Sequence, residues 1–74
     1  MATQRFPRAA IARRIERAAE QCEAWDYTYG LELENYRGWS PTDARYQTMQ
    51  RRREQLRSLA RQLSRLATDV ALMP

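Results

Sequence analysis

The residues of this chain that could carry chemistry are one cysteine, nine carboxylates and thirteen arginines, with no histidine among its 74 residues. Cys22 is the candidate nucleophile, but a thiol nucleophile needs a general base and no histidine is present to supply one. Because Cys22 falls among apolar residues at helical spacing, we expect it to be a small buried hydrophobic residue without reactivity.

Paired carboxylates are the second candidate, because two acids that share a pocket can act as general acid and general base. Glu20 and Glu23 have helical spacing on a polar face, whereas Glu32 and Glu34 lie on different faces. Such chemistry also needs a pocket, which a hairpin of two helices does not supply. We therefore predict a protein that is not an enzyme, with no cofactor and no metal site.

Length and composition narrow the class of protein. A chain of 74 residues forms one domain, 1–74, that is too short to bury a large core alone, so a dimer or a partner protein is the expected source of further stability. The sequence contains no apolar run of membrane length and no apolar signal segment near its start. We expect a cytoplasmic protein that does not insert into membranes.

The first half of the chain has the pattern of one long amphipathic helix, about 8–37, which Pro7 can open. Thr28 and Gly30 weaken its centre, but the apolar stripe continues in phase past the glycine, so we predict one helix without a break. The stripe recurs at spacings of three and four residues and comprises Ile11, Ile15, Ala18, Cys22, Trp25, Tyr29, Leu33 and Tyr36.

A stop signal and a start signal for helices lie side by side near the midpoint. Gly38 can close the first helix, and Ser40 is a favourable N-cap for the second. Pro41 then falls at the first helical position and Asp43 at the third, where a carboxylate faces the positive end of the helix. These residues predict a turn at 38–40 and a second helix over about 41–71.

The second helix carries an apolar seam with a spacing near seven residues, flanked by Ala60 and Ala67, which are small enough to admit another helix. The seam comprises Tyr46, Met49, Leu56, Leu59, Leu63, Leu66, Val70 and Met73. The fold class is therefore an all-α, antiparallel two-helix hairpin. Its register places Ile11 near Val70, Ile15 near Leu66, Cys22 near Leu59 and Trp25 near Leu56, and brings Glu16, Glu20 and Glu23 beside Arg65, Arg61 and Arg57.

Aromatic and arginine side chains near the turn form the candidate binding surface, because tryptophan, tyrosine and arginine concentrate binding energy at protein interfaces. Two helices cannot enclose all the aromatic residues around the connection. The predicted partner-binding residues are Trp25, Tyr29, Tyr36, Trp39, Tyr46, Met49, Arg52, Leu56, Leu59, Leu63 and Leu66. In isolation we expect a homodimer, since a lone hairpin leaves part of each apolar stripe in water.

The run Gly38-Trp39-Ser40-Pro41, followed by Tyr46-Gln47 and leucines up to Asp69, resembles the small E-component co-chaperones of bacterial type III secretion needles. The resemblance covers roughly residues 37 to 70. It implies a cytoplasmic helical hairpin that binds a helical-repeat chaperone, and a pair that keeps the needle subunit from polymerising before export.

Two other functions remain open at the level of sequence. A small phage- or plasmid-encoded inhibitor that docks on a host protein machine would have the same length and surface. A dimeric nucleic-acid-binding protein is less favoured, because the formal net charge is only +4 and the first half offers acids to the arginines. Those arginines are Arg45, Arg51, Arg52, Arg53, Arg57, Arg61 and Arg65.

Overall fold

The computed structural model describes residues 6–35, 40 and 42–74, and folds them into two α-helices of 28 residues each. Helix α1 spans Arg8–Asn35 and helix α2 spans Ala44–Ala71. The helices contact each other extensively, and no strand occurs in the described part of the chain. The predicted all-α hairpin is therefore confirmed. Within the same residues, neither helix is long and apolar enough to cross a membrane.

Helix α1 begins directly after Pro7, whose carbonyl accepts a hydrogen bond from the backbone N–H of Ile11 at 3.0 Å. The helix continues through Thr28 and Gly30, as predicted. The Thr28 hydroxyl donates to the Ala24 carbonyl at 3.0 Å, so this side chain is satisfied within its own helix. The predicted last residues of the helix, Tyr36 and Arg37, lie outside the described residues.

Helix α2 begins later than predicted, because Asp43 rather than Ser40 is its N-cap. The Asp43 carboxylate accepts a hydrogen bond from the backbone N–H of Arg45 at 2.8 Å. A carboxylate at this position accepts a stronger hydrogen bond than a serine hydroxyl and also faces the positive end of the helix. The predicted start at residue 41 is therefore wrong by three residues.

Ser40 lies in the connection that precedes this cap. Its carbonyl accepts from the backbone N–H of Asp43 at 2.9 Å, and its hydroxyl accepts from the backbone N–H of Thr42 at 3.2 Å. Ser40 thus stabilises a turn before the helix. The predicted roles of Gly38 and Pro41 concern residues outside those that the structure describes.

The two helices run antiparallel. The Arg8 guanidinium, at the start of α1, donates a hydrogen bond to the carbonyl of Met73, just beyond the end of α2. A positive side chain at this point also faces the negative end of the α2 dipole. This end of the molecule, remote from the connection, is called the open end below.

Small side chains build the seam between the helices. The buried residues are Ala12 and Ala19 on α1, with Ala60, Ala67 and Val70 on α2. Each alanine pair is seven residues apart and so lies on one face of its helix. No large side chain is fully buried among the described residues. The helices are therefore in close contact but bury little apolar area.

The predicted apolar stripes are rotated relative to this seam. Ala18, which was placed in the stripe, is exposed, whereas its neighbour Ala19 is buried. Leu59 and Leu66 are 45% and 47% exposed, because the alanines beside them take the position closest to α1. Cys22 and several large residues lie along the edges of the seam and are half-buried; the large ones are Ile11, Ile15, Leu33, Tyr46, Met49, Leu56 and Leu63.

Candidate functional site

An ion pair occupies the seam in the half of the hairpin that leads to the connection. Asp26 lies seven residues after Ala19, and Arg53 lies seven residues before Ala60. The Arg53 Nε donates to one carboxylate oxygen of Asp26 at 2.9 Å, and the Arg57 Nε donates to the other at 3.0 Å. The Asp26 and Arg53 side chains are only 17% and 22% exposed. We call Asp26, Arg53 and Arg57 the charged layer.

Gly30 makes room for the charged layer. A Cβ atom at this position would lie 3.0 Å from the Cζ and Nη2 atoms of Arg53, which is closer than ordinary van der Waals contact. The missing side chain therefore lets the guanidinium lie against the backbone of α1. This contact gives a reason for a glycine inside a helix, where it costs about 1 kcal/mol relative to alanine.

The charged layer also sets the ionisation of Asp26. Partial burial alone would raise the pKa of this carboxyl, but hydrogen bonds from Arg57 and Arg53, with their positive charges, outweigh burial and lower it. The pKa of Asp43 is also lowered, first by the hydrogen bond from the Arg45 side chain and then by that from the Arg45 backbone. Both carboxylates are charged at neutral pH.

The three ion pairs predicted between glutamates of α1 and arginines of α2 do not form within the described residues. The absent pairs are Glu16 with Arg65, Glu20 with Arg61 and Glu23 with Arg57. These glutamates line an open cleft of about 350 Å³ together with Ser64 and Thr68. The prediction is wrong because serine and threonine lie beside the seam there, and because Asp26, which is in the seam, binds Arg57.

On the other side of the charged layer, the helices leave a groove of about 310 Å³. Trp25 and Tyr29 form its α1 wall, and the α2 wall comprises Arg52, Gln55, Leu56 and Leu59. Trp25 is 53% exposed even though it is the largest side chain of the groove. Trp25 and Leu56, which the predicted register placed near each other, both line it.

Five of the predicted partner-binding residues thus line one groove: Trp25, Tyr29, Arg52, Leu56 and Leu59. Leu63 and Leu66 follow at helical spacing on the same side of α2, half-buried and exposed respectively. Gln55 was not predicted, although its position three residues after Arg52 on one helix face could have indicated it.

The remaining predicted residues lie elsewhere or cannot be placed. Tyr46 is half-buried nearer the connection, and its hydroxyl accepts a hydrogen bond from the Gln50 side chain at 3.1 Å. Met49 lines a separate shallow depression on α2. Tyr36 and Trp39 lie outside the described residues. The structure therefore brings together part of the predicted surface, not all of it.

The two sides of the hairpin therefore differ in composition. The groove side carries Trp25, Leu59 and Leu66, all half exposed, whereas the opposite side carries the glutamate-lined cleft. Tyr27, two residues after Trp25, lies about 200° away around the helix and is 68% exposed. We use the names groove side and acidic side for these two surfaces below.

Cys22 is a free cysteine on the edge of the seam and is half-buried, so it is less enclosed than predicted. Within the described residues, no group of three or more cysteine, aspartate and glutamate side chains is arranged to hold a metal ion.

Comparison of the chain with protein families, curated proteins and solved structures finds no significant match. The resemblance to secretion co-chaperones thus stays a prediction based on residues 37 to 70.

Proposed function

We propose that this chain is a non-enzymatic protein-binding hairpin that docks a partner protein on its groove side. One observation carries the proposal: among the described residues, the buried apolar part of the seam consists of alanines and a valine, whereas Trp25, Leu59 and Leu66 remain about half exposed on a single side. Large apolar side chains grouped on one side of a small protein are typical of an interaction surface. A partner that covers them supplies the core that the hairpin lacks.

Burial of the groove side by a partner contributes a binding free energy that is large for a chain of this size. Complete burial of one large apolar side chain stabilises by about 2 kcal/mol, so covering each half-exposed residue contributes about 1 kcal/mol. Tryptophan buries more area than leucine and is enriched at the centres of interfaces. Trp25 is therefore the expected anchor of the interface.

The first specific partner to test is the one that the resemblance implies. By this proposal the hairpin is a cytoplasmic co-chaperone of a type III secretion needle, it binds a helical-repeat chaperone, and the pair holds the needle subunit in an unpolymerised state. The resemblance of residues 37 to 70 and the helical hairpin that it implies support this assignment. The mechanism needs only that the bound state compete with self-assembly of the needle subunit.

Without its partner, the chain is expected to form a homodimer. The groove side of one copy then packs against a second copy, in a contact that is less complementary than the one with the partner. Sedimentation of the isolated chain over a range of concentrations measures this: a concentration-dependent dimer is expected, and a monomer throughout would contradict it.

Co-expression with a needle subunit and its helical-repeat chaperone tests the proposed function. The expected result is a complex of three proteins that Trp25→Glu and Leu59→Glu disrupt. Tyr27→Glu introduces the same charge two residues away on the acidic side and serves as the matched control, so its complex should remain intact. Failure to form any complex removes the co-chaperone assignment. A complex that Tyr27→Glu disrupts and Trp25→Glu does not removes the groove side as the binding surface.

A further inference from the structure

The groove carries one charge, and that charge is positive. Arg52 lines it beside Gln55, two aromatic side chains and two leucines, and none of the lining residues is a carboxylate. Within the part of the chain that the structure describes, Arg52 makes neither an ion pair nor a hydrogen bond. Arg52 is therefore an exposed cation beside an apolar surface.

The arginines that pack between the helices or cap a helix have an acceptor within the described part of the chain, whereas the arginine that lines the groove has none there. Arg53 and Arg57 donate to Asp26, and Arg45 donates to Asp43. Arg52 is adjacent to Arg53 in sequence but lies about 100° away around the helix, and it lines the groove instead of the seam. The sequence thus provides an acid for the arginine inside the hairpin and none for the arginine in the groove.

We infer that the groove binds an amphipathic helix that carries a carboxylate opposite Arg52. The inference rests on the proposed function, since it specifies which partner the groove side accepts. Apolar side chains at spacings of three and four on such a helix lie between Trp25 and Leu59, and a glutamate or aspartate one turn along reaches Arg52. The result is a third helix packed against the hairpin.

The reason for the acid is the loss of water around Arg52. A partner that covers the groove removes water from the guanidinium, and a charge that is desolvated without a counter-ion is costly. A carboxylate offsets that cost through a charge-assisted hydrogen bond, for which the forked guanidinium is well suited.

A second copy of this chain fits the groove less well. In a two-fold dimer the same surface is used by both subunits, so each groove faces groove-side residues of the other copy. Because no carboxylate lines the groove, neither Arg52 obtains an acid from the groove of its partner. The groove therefore favours a different polypeptide, one with an acidic helix.

Selection of helices on the full chain tests this inference. The probe is a displayed library of 20-residue amphipathic helices with a fixed leucine stripe, in which the flanking positions vary among glutamate, glutamine and lysine. We expect glutamate to be enriched at one position beside the stripe. The selected helix should bind the Arg52→Glu variant about tenfold more weakly, and a glutamate-to-lysine change in the helix should recover binding to that variant.

Arg61→Glu is the matched control, because Arg61 is also exposed on α2 but does not line the groove, so binding should change little. Equal enrichment of glutamate and lysine, or equal loss with Arg61→Glu, overturns the inference. If Trp25→Glu still abolishes binding in that case, the proposed function survives. If the library yields no helix that prefers the unmodified chain over Trp25→Glu, both proposals fail. A stable dimer of the chain that blocks every helix identifies a second copy as the occupant and also overturns the inference.

Discussion

The two halves of the hairpin fill the seam between the helices with different residues. Toward the open end, alanines on both helices fill the seam and are almost fully buried. Toward the connection, the same seven-residue spacing carries Asp26 and Arg53, with Gly30 making space for the guanidinium. The alanine half brings the helices together without specifying which alanine faces which, whereas the charged half accepts one alignment.

The alanine half therefore contributes mainly to stability, and the charged half specifies how the two helices are aligned. Alanines on a seven-residue repeat would still meet at one position if one helix moved along the other by a repeat, so they specify the alignment only weakly. The charged layer forbids such a shift, since it would leave a partly buried aspartate or arginine without its counter-ion. Four predictions test this division of roles, in order of decreasing expected change.

Substitution in the alanine half should have the largest effect. Ala19→Leu forces a large side chain into the seam and should lower the free energy of unfolding by about 3 kcal/mol. Ala18→Leu makes the same chemical change at the exposed neighbouring position and should leave stability almost unchanged. Urea unfolding followed by circular dichroism measures both. Equal losses for the two variants would show that the seam does not pass through Ala19.

Loss of the aspartate in the charged layer should have the second largest effect on stability. Asp26→Asn leaves the Arg53 guanidinium partly buried without a counter-ion and should cost about 2 kcal/mol of unfolding free energy. Glu20→Gln, at an exposed position without an ion pair, is the control and should change little.

The double variant Asp26→Leu with Arg53→Leu sharpens this test. An apolar pair of similar size should restore stability or exceed it, because no charge is then desolvated. The register should become less well defined, however, which spin labels on the two helices would report as a broader distribution of distances. A single narrow distribution in this variant would contradict the specificity assigned to the charged layer.

Gly30→Ala should have a small effect whose size depends on Arg53. Alanine improves helix propensity by about 1 kcal/mol, but its Cβ meets the guanidinium at 3.0 Å and should cancel part of that gain. In an Arg53→Ala background the whole gain should appear. A gain that is the same in both backgrounds would show that the glycine is not required by the arginine.

The pH dependence should be the mildest of the four effects. The pKa of Asp26 is lowered in the folded chain, so its stabilisation is complete above the ordinary aspartate pKa of about 3.9 and is lost as the pH falls through the lower folded value. Stability should therefore decline in acid, and the difference between the unmodified chain and Asp26→Asn should shrink. Asp43 contributes a decline of the same sign in both proteins. A difference that stays constant down to pH 2 would be inconsistent with this linkage.

The fold was predictable because its signals are local. The spacing of apolar residues and the stop and start signals near residue 40 predict two helices of matched length in antiparallel arrangement. The exact start of α2 was not predictable in the same way, because Ser40 and Asp43 are both good N-caps and only the path of the connection decides between them.

The seam and the ion pairs were harder to predict, because they depend on how each helix is rotated about its own axis. Large residues such as Trp25 and Leu59 suggested one rotation, but the hairpin turns its alanines inward instead. The seven-residue spacing from Ala12 through Ala19 to Asp26 contains the necessary signal. Five of the eleven predicted surface residues nevertheless line the groove, because large residues that flank the seam border a groove between the two helices.

Hydroxyl-radical footprinting of the chain, alone and in complex with its co-expressed partner, measures which side of the hairpin the partner covers. We expect the partner on the groove side and not on the acidic side. We expect Trp25, Leu59 and Leu66 to be oxidised readily in the free chain, at a concentration low enough to keep it monomeric, and to be protected in the complex, while Tyr27 is oxidised equally in both. Protection of Tyr27 with unchanged oxidation of Trp25 would contradict it.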